Sequence, residues 1–161
     1  LAASTKVMAA TDLLWFSGED ALTLPLLAIG AVGTVSVVGH VAGAQYAAMI
    51  AAVDRGDLTE ARRIHEALIP IVDAIMTPSQ GAIMAKAALV ELGVIASGTV
   101  RLPLVESPVE HLEALRAALA TLPRILARCA TRTPSCRLRG RSRPVACGSS
   151  RSVGSARSGG T

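Results

Sequence analysis

Residues able to do chemistry gather in two short stretches, Ser17-Gly18-Glu19-Asp20 and Gly39-His40. A serine hydroxyl becomes a nucleophile only with a base held beside it, and no His–acid pair is spaced to serve Ser17. Ser17 therefore reads as a helix cap, and Glu19 and Asp20 as carboxylates set against the positive end of the helix that follows. Gly18 suits the tight turn between an extended run and that helix. His40 reads as a cap or a supporting group. His65 and His111 fall on helical patterns and read as solvated or helix-boundary residues. Cys129, Cys136 and Cys147 are spaced by seven and eleven residues, unlike the paired CxxC of a zinc site. No catalytic residue, cofactor or metal ligand is assigned from these patterns.

The elements that must position the two stretches lie within residues 13–41. Two β-branched or aromatic runs, residues 13–16 and 34–38, flank an apolar segment of helical length, residues 21–29. Each run ends in a small polar turn, and a helical pattern follows. Strand, turn, helix, strand, turn, helix is the βαβ arrangement, with parallel strands and a helical crossover. Neither run alternates with polar residues, as expected of strands covered on both faces. In such architectures ligands bind at the carboxyl ends of the strands, here Ser17–Asp20 and Val38–His40.

The rest of the chain reads as helix. Residues 2–10 end a short Ala-rich helix, Gly30 closes the crossover helix, and residues 41–55 form a third helix stopped by Gly56. Asp57-Leu58-Thr59-Glu60 resembles a capping box. Behind it Leu58, Ala61, Ile64, His65, Leu68, Ile71, Val72 and Ile75 follow helical spacing, so one face is buried. Arg62 and Glu66 are spaced as an i,i+4 pair, and Pro70 should kink the helix. A loop at 77–80 leads to a helix over 82–92 ended by Gly93, then to an extended segment over 100–107. Ser107-Pro108-Val109-Glu110 opens a last helix, running to about residue 122, with Pro108 in its first position.

Composition divides the chain sharply. Residues 1–123 hold seven Lys or Arg against all 12 acids, a net −5, whereas residues 124–161 hold nine basic residues, no acid and all three cysteines. The body is thus an acidic, cysteine-free domain that suits the cytoplasm. The tail has no hydrophobic period and is expected to be disordered. It reads either as an arginine-rich arm for nucleic acid or as a GC-rich gene translated out of frame. The absence of aromatic residues for base stacking favours the second reading. Residues 21–53 carry no charge, long enough for a membrane span. Pro25, Gly30, Gly33 and Gly39 nevertheless cut that stretch into strand-sized and core-helix-sized pieces, and no basic cluster flanks it. No signal peptide is read, and Leu at position 1 suggests a piece of a longer chain.

SGEDALTLPLLAIGAVGTVSVVGHVA resembles the seventh and eighth strands of the dihydrodipicolinate synthase and N-acetylneuraminate lyase family, pyruvate-dependent class I aldolases. GDLTEARRIHEALIPI, KAALVELG, RLPL and EHLEALRAAL follow in the family's order, so the resemblance spans about residues 1–122. RLPL, with the K-x-x-L-x-x-L-G spacing before it, points to the synthase branch. The resemblance implies the last two strands of a (β/α)8 barrel with a three-helix C-terminal extension, usually assembled as a homo-tetramer. It implies pyruvate as substrate, bound beside the backbone of Val35 and near Gly18, the glycine of the loop after the seventh strand. It also implies a Schiff-base lysine at the end of the sixth strand, falling a few residues before Leu1. Lys6 and Lys86 do not match that position, and Tyr46 does not match the family's proton-relaying tyrosine.

These readings combine into one expectation. The chain is the C-terminal part of an aldolase that condenses pyruvate with aspartate semialdehyde in lysine biosynthesis, inactive by itself. Its regions are a partial barrel over residues 1–55, a helical subdomain over 56–123 and a disordered tail over 124–161. An anion- or nucleic-acid-binding protein acting through the tail, and a small membrane protein, are the alternatives.

Overall fold

The structure, a computed structural model, describes residues 1–122. The arginine-rich stretch and the three cysteines, with the disordered tail expected there, lie outside the described residues.

Helix α1 (Ala2–Ala10) precedes strand β1 (Phe16–Ser17), a 3-10 turn (Asp20–Leu22) and helix α2 (Thr23–Ala28). Strand β2 (Gly33–Thr34) then leads into helices α3 (Gly39–Asp54), α4 (Leu58–Met76), α5 (Gly81–Glu91) and α6 (Val109–Thr121). The strands pair in parallel, Phe16 opposite Gly33 and Ser17 opposite Thr34, so the expected βαβ crossover is present. Both strands are shorter than their composition suggested. The Val32 amide donates to the Trp15 carbonyl and the Val35 amide to the Ser17 carbonyl, each at 2.8 Å, and pairing ends there. β-Branched residues favour an extended backbone, but a ladder needs a facing partner. Residues 35–38, expected as strand, instead form the turn into α3.

The core lies among the helices. α4 is its axis, burying Ala61, Ile64, Leu68, Ile71, Val72, Ala74 and Ile75 against Tyr46, Met49 and Ala52 of α3, Met84 and Ala88 of α5 and Leu115 and Ala118 of α6. The expected buried stripe is therefore present, except that Leu58 is exposed and His65 half-buried. With only one Trp, one Tyr and one Phe in the chain, this core is packed from aliphatic side chains and methionine around the single buried aromatic, Tyr46.

Local signals fix the helix ends. Gly56, in the left-handed region at φ +77°, ends α3, and the Asp57 carboxylate caps α4 by accepting from the Glu60 amide at 3.0 Å. Only half of the expected capping box forms. The Glu60 carboxylate turns instead to Arg63, with two contacts of 2.7 Å, and the Asp57 amide donates to the Ala52 carbonyl. Arg62 and Glu66 form no ion pair; among the described residues the ion pairs are Arg63–Glu60 and Arg116–Glu91. α4 runs through Pro70, which stands on its exposed side, where water can satisfy the carbonyl left without an amide. α6 begins one residue later than expected, with Pro108 as its N-cap.

Residues 21–53 divide among the 3-10 turn, α2, β2 and α3. No single helix among the described residues is long and apolar enough to cross a membrane; α4 and α5 reach that length and hydropathy only as a pair bent by 111°.

Candidate functional site

The polar residues at the carboxyl ends of β1 and β2 form two adjoining hydrogen-bonded groups, one around Ser17 and Thr34 and one around Asp20 and Ser36. Ser17 and Thr23 are fully buried and Asp20 is 2% exposed. The Thr34 hydroxyl donates to the Ser17 carbonyl at 3.1 Å and shares a 3.2 Å hydrogen bond with the Thr23 hydroxyl. Ser17 Oγ donates to the Glu19 carbonyl at 2.8 Å and accepts from the Glu19 amide at 3.3 Å. These bonds close the β1 turn upon itself, so the Ser17 hydroxyl serves the backbone of its own turn.

Asp20 corrects the sequence reading. Its side chain makes no cap for the 3-10 turn or α2. It reaches instead across to the turn after β2, where Oδ2 accepts from the amides of Val37 at 3.2 Å and Val38 at 3.3 Å. The Ser36 hydroxyl donates to Oδ1, and Ser36 Oγ accepts from the Gly39 amide at 2.6 Å. Three consecutive amides leading into α3, those of Val37, Val38 and Gly39, are thus satisfied by one carboxylate and one hydroxyl. Burying a carboxylate is costly unless its lone pairs are filled, and here three donors fill them. Sixteen residues separate Asp20 from Ser36, too far for a local motif to signal the contact.

Tyr46, on α3, is buried with its hydroxyl 3.5 Å from the Asp20 carbonyl, to which it donates. Burial, then the nearby Asp20 charge and its hydrogen bond, push the phenol well above its ordinary range. Tyr46 therefore keeps its proton and acts as a donor.

Gly18 and Val35 lie side by side. The Val35 amide bonds the carbonyl of the Ser17–Gly18 peptide at 2.8 Å, and both residues face solvent, Val35 at 72% exposure. A Cβ at Gly18 would meet nothing within 4 Å, so the space over Gly18 is open. Leu13, Leu14, Phe16 and Val32 are also exposed along these strands.

The remaining candidates stay apart from these groups. His40 is exposed on the first turn of α3. His65 is half-buried, and burial holds its imidazole below its usual range. Ser107 Oγ lies 3.3 Å from His111 Nδ1 and donates to Met84 Sδ at 3.1 Å. Lys6 is exposed on α1, and Lys86 on α5 donates to the Thr99 carbonyl. A recess of about 170 Å³ between α5 and α6, lined by Ile83, Val90, Glu106, Ser107 and Leu112, shares no residue with the strand-end groups. Among the described residues no three His, Cys, Asp or Glu side chains gather as a metal site.

A model of the dihydrodipicolinate synthetase family matches residues 2–122, the whole of this architecture but its first residue. The chain belongs to that family. It is 55% identical over 114 residues to a 4-hydroxy-tetrahydrodipicolinate synthase of Kineococcus radiotolerans, covering 71% of this chain and 37% of the relative. Among solved structures it is similar to the dihydrodipicolinate synthase of Cyanidioschyzon merolae with lysine bound. That match has 38% identity and a TM-score of 0.69, over 74% of this chain and 40% of the other. The chloride-inhibited enzyme of Acinetobacter baumannii complexed with pyruvate gives 26% identity and a TM-score of 0.68, over 74% and 41%. The chain thus spans well under half the length of the synthetase-family relatives it matches.

Proposed function

We propose that this chain carries the last two βα units and the C-terminal helical extension of a (β/α)8 barrel. The barrel is that of a 4-hydroxy-tetrahydrodipicolinate synthase, joining pyruvate to aspartate semialdehyde in lysine biosynthesis. The observation that carries the reading is the placement of Gly18 beside Val35 at the carboxyl ends of two parallel strands, with open space over Gly18. Parallel α/β folds bind ligands at that end. The match over residues 2–122 and the pyruvate complex of a structural relative support the assignment.

In this reading Gly18 and Val35 form one wall of the pyruvate site. Gly18 lets a carboxylate or carbonyl approach the backbone without a Cβ in the way, and Val35 offers main chain beside a small apolar side chain. The amine that forms the Schiff base is not one of this chain's two lysines. Lys6 is exposed on α1, Lys86 is tied to Thr99 on α5, and neither stands at a strand end. Tyr46, held protonated against the Asp20 carbonyl, supports the fold and does not relay protons. The chain alone is accordingly inactive, and the homo-oligomeric, cytoplasmic enzyme implied by the resemblance is the setting in which its site is completed.

Borohydride trapping tests this. Incubation of the chain with pyruvate and borohydride, read by mass spectrometry, should give no adduct on Lys6 or Lys86. A stoichiometric adduct on either lysine overturns the assignment of the reacting amine to another part of the enzyme.

A further inference from the structure

The mechanism outlined above uses Gly18 and Val35 and leaves the most deeply buried charge at the strand ends without a role. Asp20 is 2% exposed, and its carboxylate takes three donors of the turn between β2 and α3, with the Tyr46 hydroxyl beside it. That turn starts at Val35 and returns the chain into a helix within four residues. Val38, the N-cap residue of α3, makes no side-chain cap, and its own amide and that of Val37 are met by a group brought from elsewhere in the fold.

We propose that Asp20 is a positioning residue: it caps α3 from across the crossover and thereby holds the Val35 backbone in register beside Gly18. The physical case rests on what each bond constrains. Oδ2 takes the amides of Val37 and Val38, fixing the peptide planes two and three residues beyond Val35. Oδ1 takes the Ser36 hydroxyl, whose oxygen in turn takes the Gly39 amide, so the turn is pinned on both sides. From the other direction, the Val35 amide is tied to the Ser17 carbonyl and the Thr34 hydroxyl to the same oxygen. Val35 is thus held between a ladder bond on its amino side and the Asp20 cap on its carboxyl side. Its side chain, at 72% exposure, receives little packing that could hold it otherwise. Within α3 the first amides are met locally, Gly39 by Ser36 Oγ and His40 and Val41 by the carbonyls of Val37 and Val38, so that helix end offers no free donor to a substrate anion.

The consequence for pyruvate rests on the reading of Gly18 and Val35 given under Proposed function, and the two can fail separately. Hydrogen–deuterium exchange on the full chain, read by mass spectrometry with and without millimolar pyruvate, distinguishes them. Without pyruvate, Asp20→Ala should speed exchange at Val37, Val38 and Gly39 by about tenfold or more, the effect of losing charge-assisted hydrogen bonds. Asp20→Asn, which keeps one acceptor oxygen, should fall between Asp20→Ala and the parent chain. Glu19→Gln, one residue away and without a carboxylate hydrogen bond among the described residues, should match the parent. With pyruvate, the parent and Glu19→Gln should show slowed exchange around residues 16–18 and 33–38, and Asp20→Ala should lose that protection with the α4 segment unchanged. Exchange in Asp20→Ala equal to the parent's overturns the cap. An opened turn that still protects residues 33–38 against pyruvate overturns the positioning role. An opened turn with no pyruvate protection in the parent leaves the cap standing and removes the pyruvate reading, and with it the positioning role. If Asp20→Ala does not fold, Ser36→Ala, which removes one Asp20 donor and the Gly39 acceptor, takes its place with the same outcomes.

Discussion

The strand ends and the helical region are built on opposite principles. Around α4 the interior is dry and apolar: Met49, Leu68, Ile75, Met84 and Leu115 are fully or almost fully enclosed, and the charges stay outside in pairs such as Arg116–Glu91. Around β1 and β2 the interior is polar, filled by Ser17, Asp20 and Thr23, while large apolar residues point outward. Phe16 is 51% exposed and Val35 72%. The helices bury the apolar stripe of α4 in one cluster that also takes in Leu26, Leu27 and Val38. The two strands keep outer edges with no ladder partner among the described residues and an apolar surface that asks to be covered.

The contrast is broken most directly by removing matched apolar groups from the two regions. Leu68→Ala should lower the folding free energy by about 2–5 kcal/mol, since α4 cannot collapse around the missing side chain. Phe16→Ser should leave the melt almost unchanged and instead reduce self-association of the chain. Denaturant titration and analytical ultracentrifugation, run on the parent and both variants, read the two effects separately. A soluble monomeric parent with a cooperative melt would show that the strand surface is already satisfied.

A smaller effect compares two ways of capping a helix. Asp57 caps α4 from the adjacent position in sequence, whereas Asp20 caps α3 from across the fold. Asp57→Ala should therefore cost about 1 kcal/mol, confined to the first turn of α4, as measured by thermal denaturation. Exchange at the turn between β2 and α3 should not respond to it.

The smallest effect is a pH dependence confined to the helical region. Burial, partly offset by Glu66, lowers the His65 pKa in the folded state. The unfolded chain therefore takes up the proton first as pH falls. Stability from this residue is present above the unfolded value of about 6.5 and declines as pH drops through it toward the lower folded value. His65→Gln should flatten the melting temperature between pH 7 and 5 relative to the parent.

Much of this architecture was legible before any coordinates. The 3.6-residue period of Ala61, Ile64, Leu68, Ile71 and Ile75, the cap at Asp57 and the stop at Gly56 place α4 and the end of α3. The pairing of the strands in parallel also follows from the run–helix–run order, and the resemblance to the dihydrodipicolinate synthetase family rests on the residues of segments such as RLPL and KAALVELG. Each of these signals acts within about four residues or on the order of segments. Strand length was overestimated, because β-branched residues at 34–38 report a backbone preference and not the presence of a partner strand. The spacing of Arg62 and Glu66 allows an ion pair that does not form; the pair on this helix is Arg63 with Glu60.

What only the tertiary structure decided is the use of Asp20. In sequence it stands before a helix with every sign of a local cap. In the fold, the crossover helix brings the start of α3 beside it, and one carboxylate then meets three donors there in place of the local amides. Composition and periodicity determine which segments are helix and which faces are apolar, because those depend on neighbours along the chain. Which buried carboxylate serves which turn depends on how a sixteen-residue excursion returns, and that distance is set by packing alone.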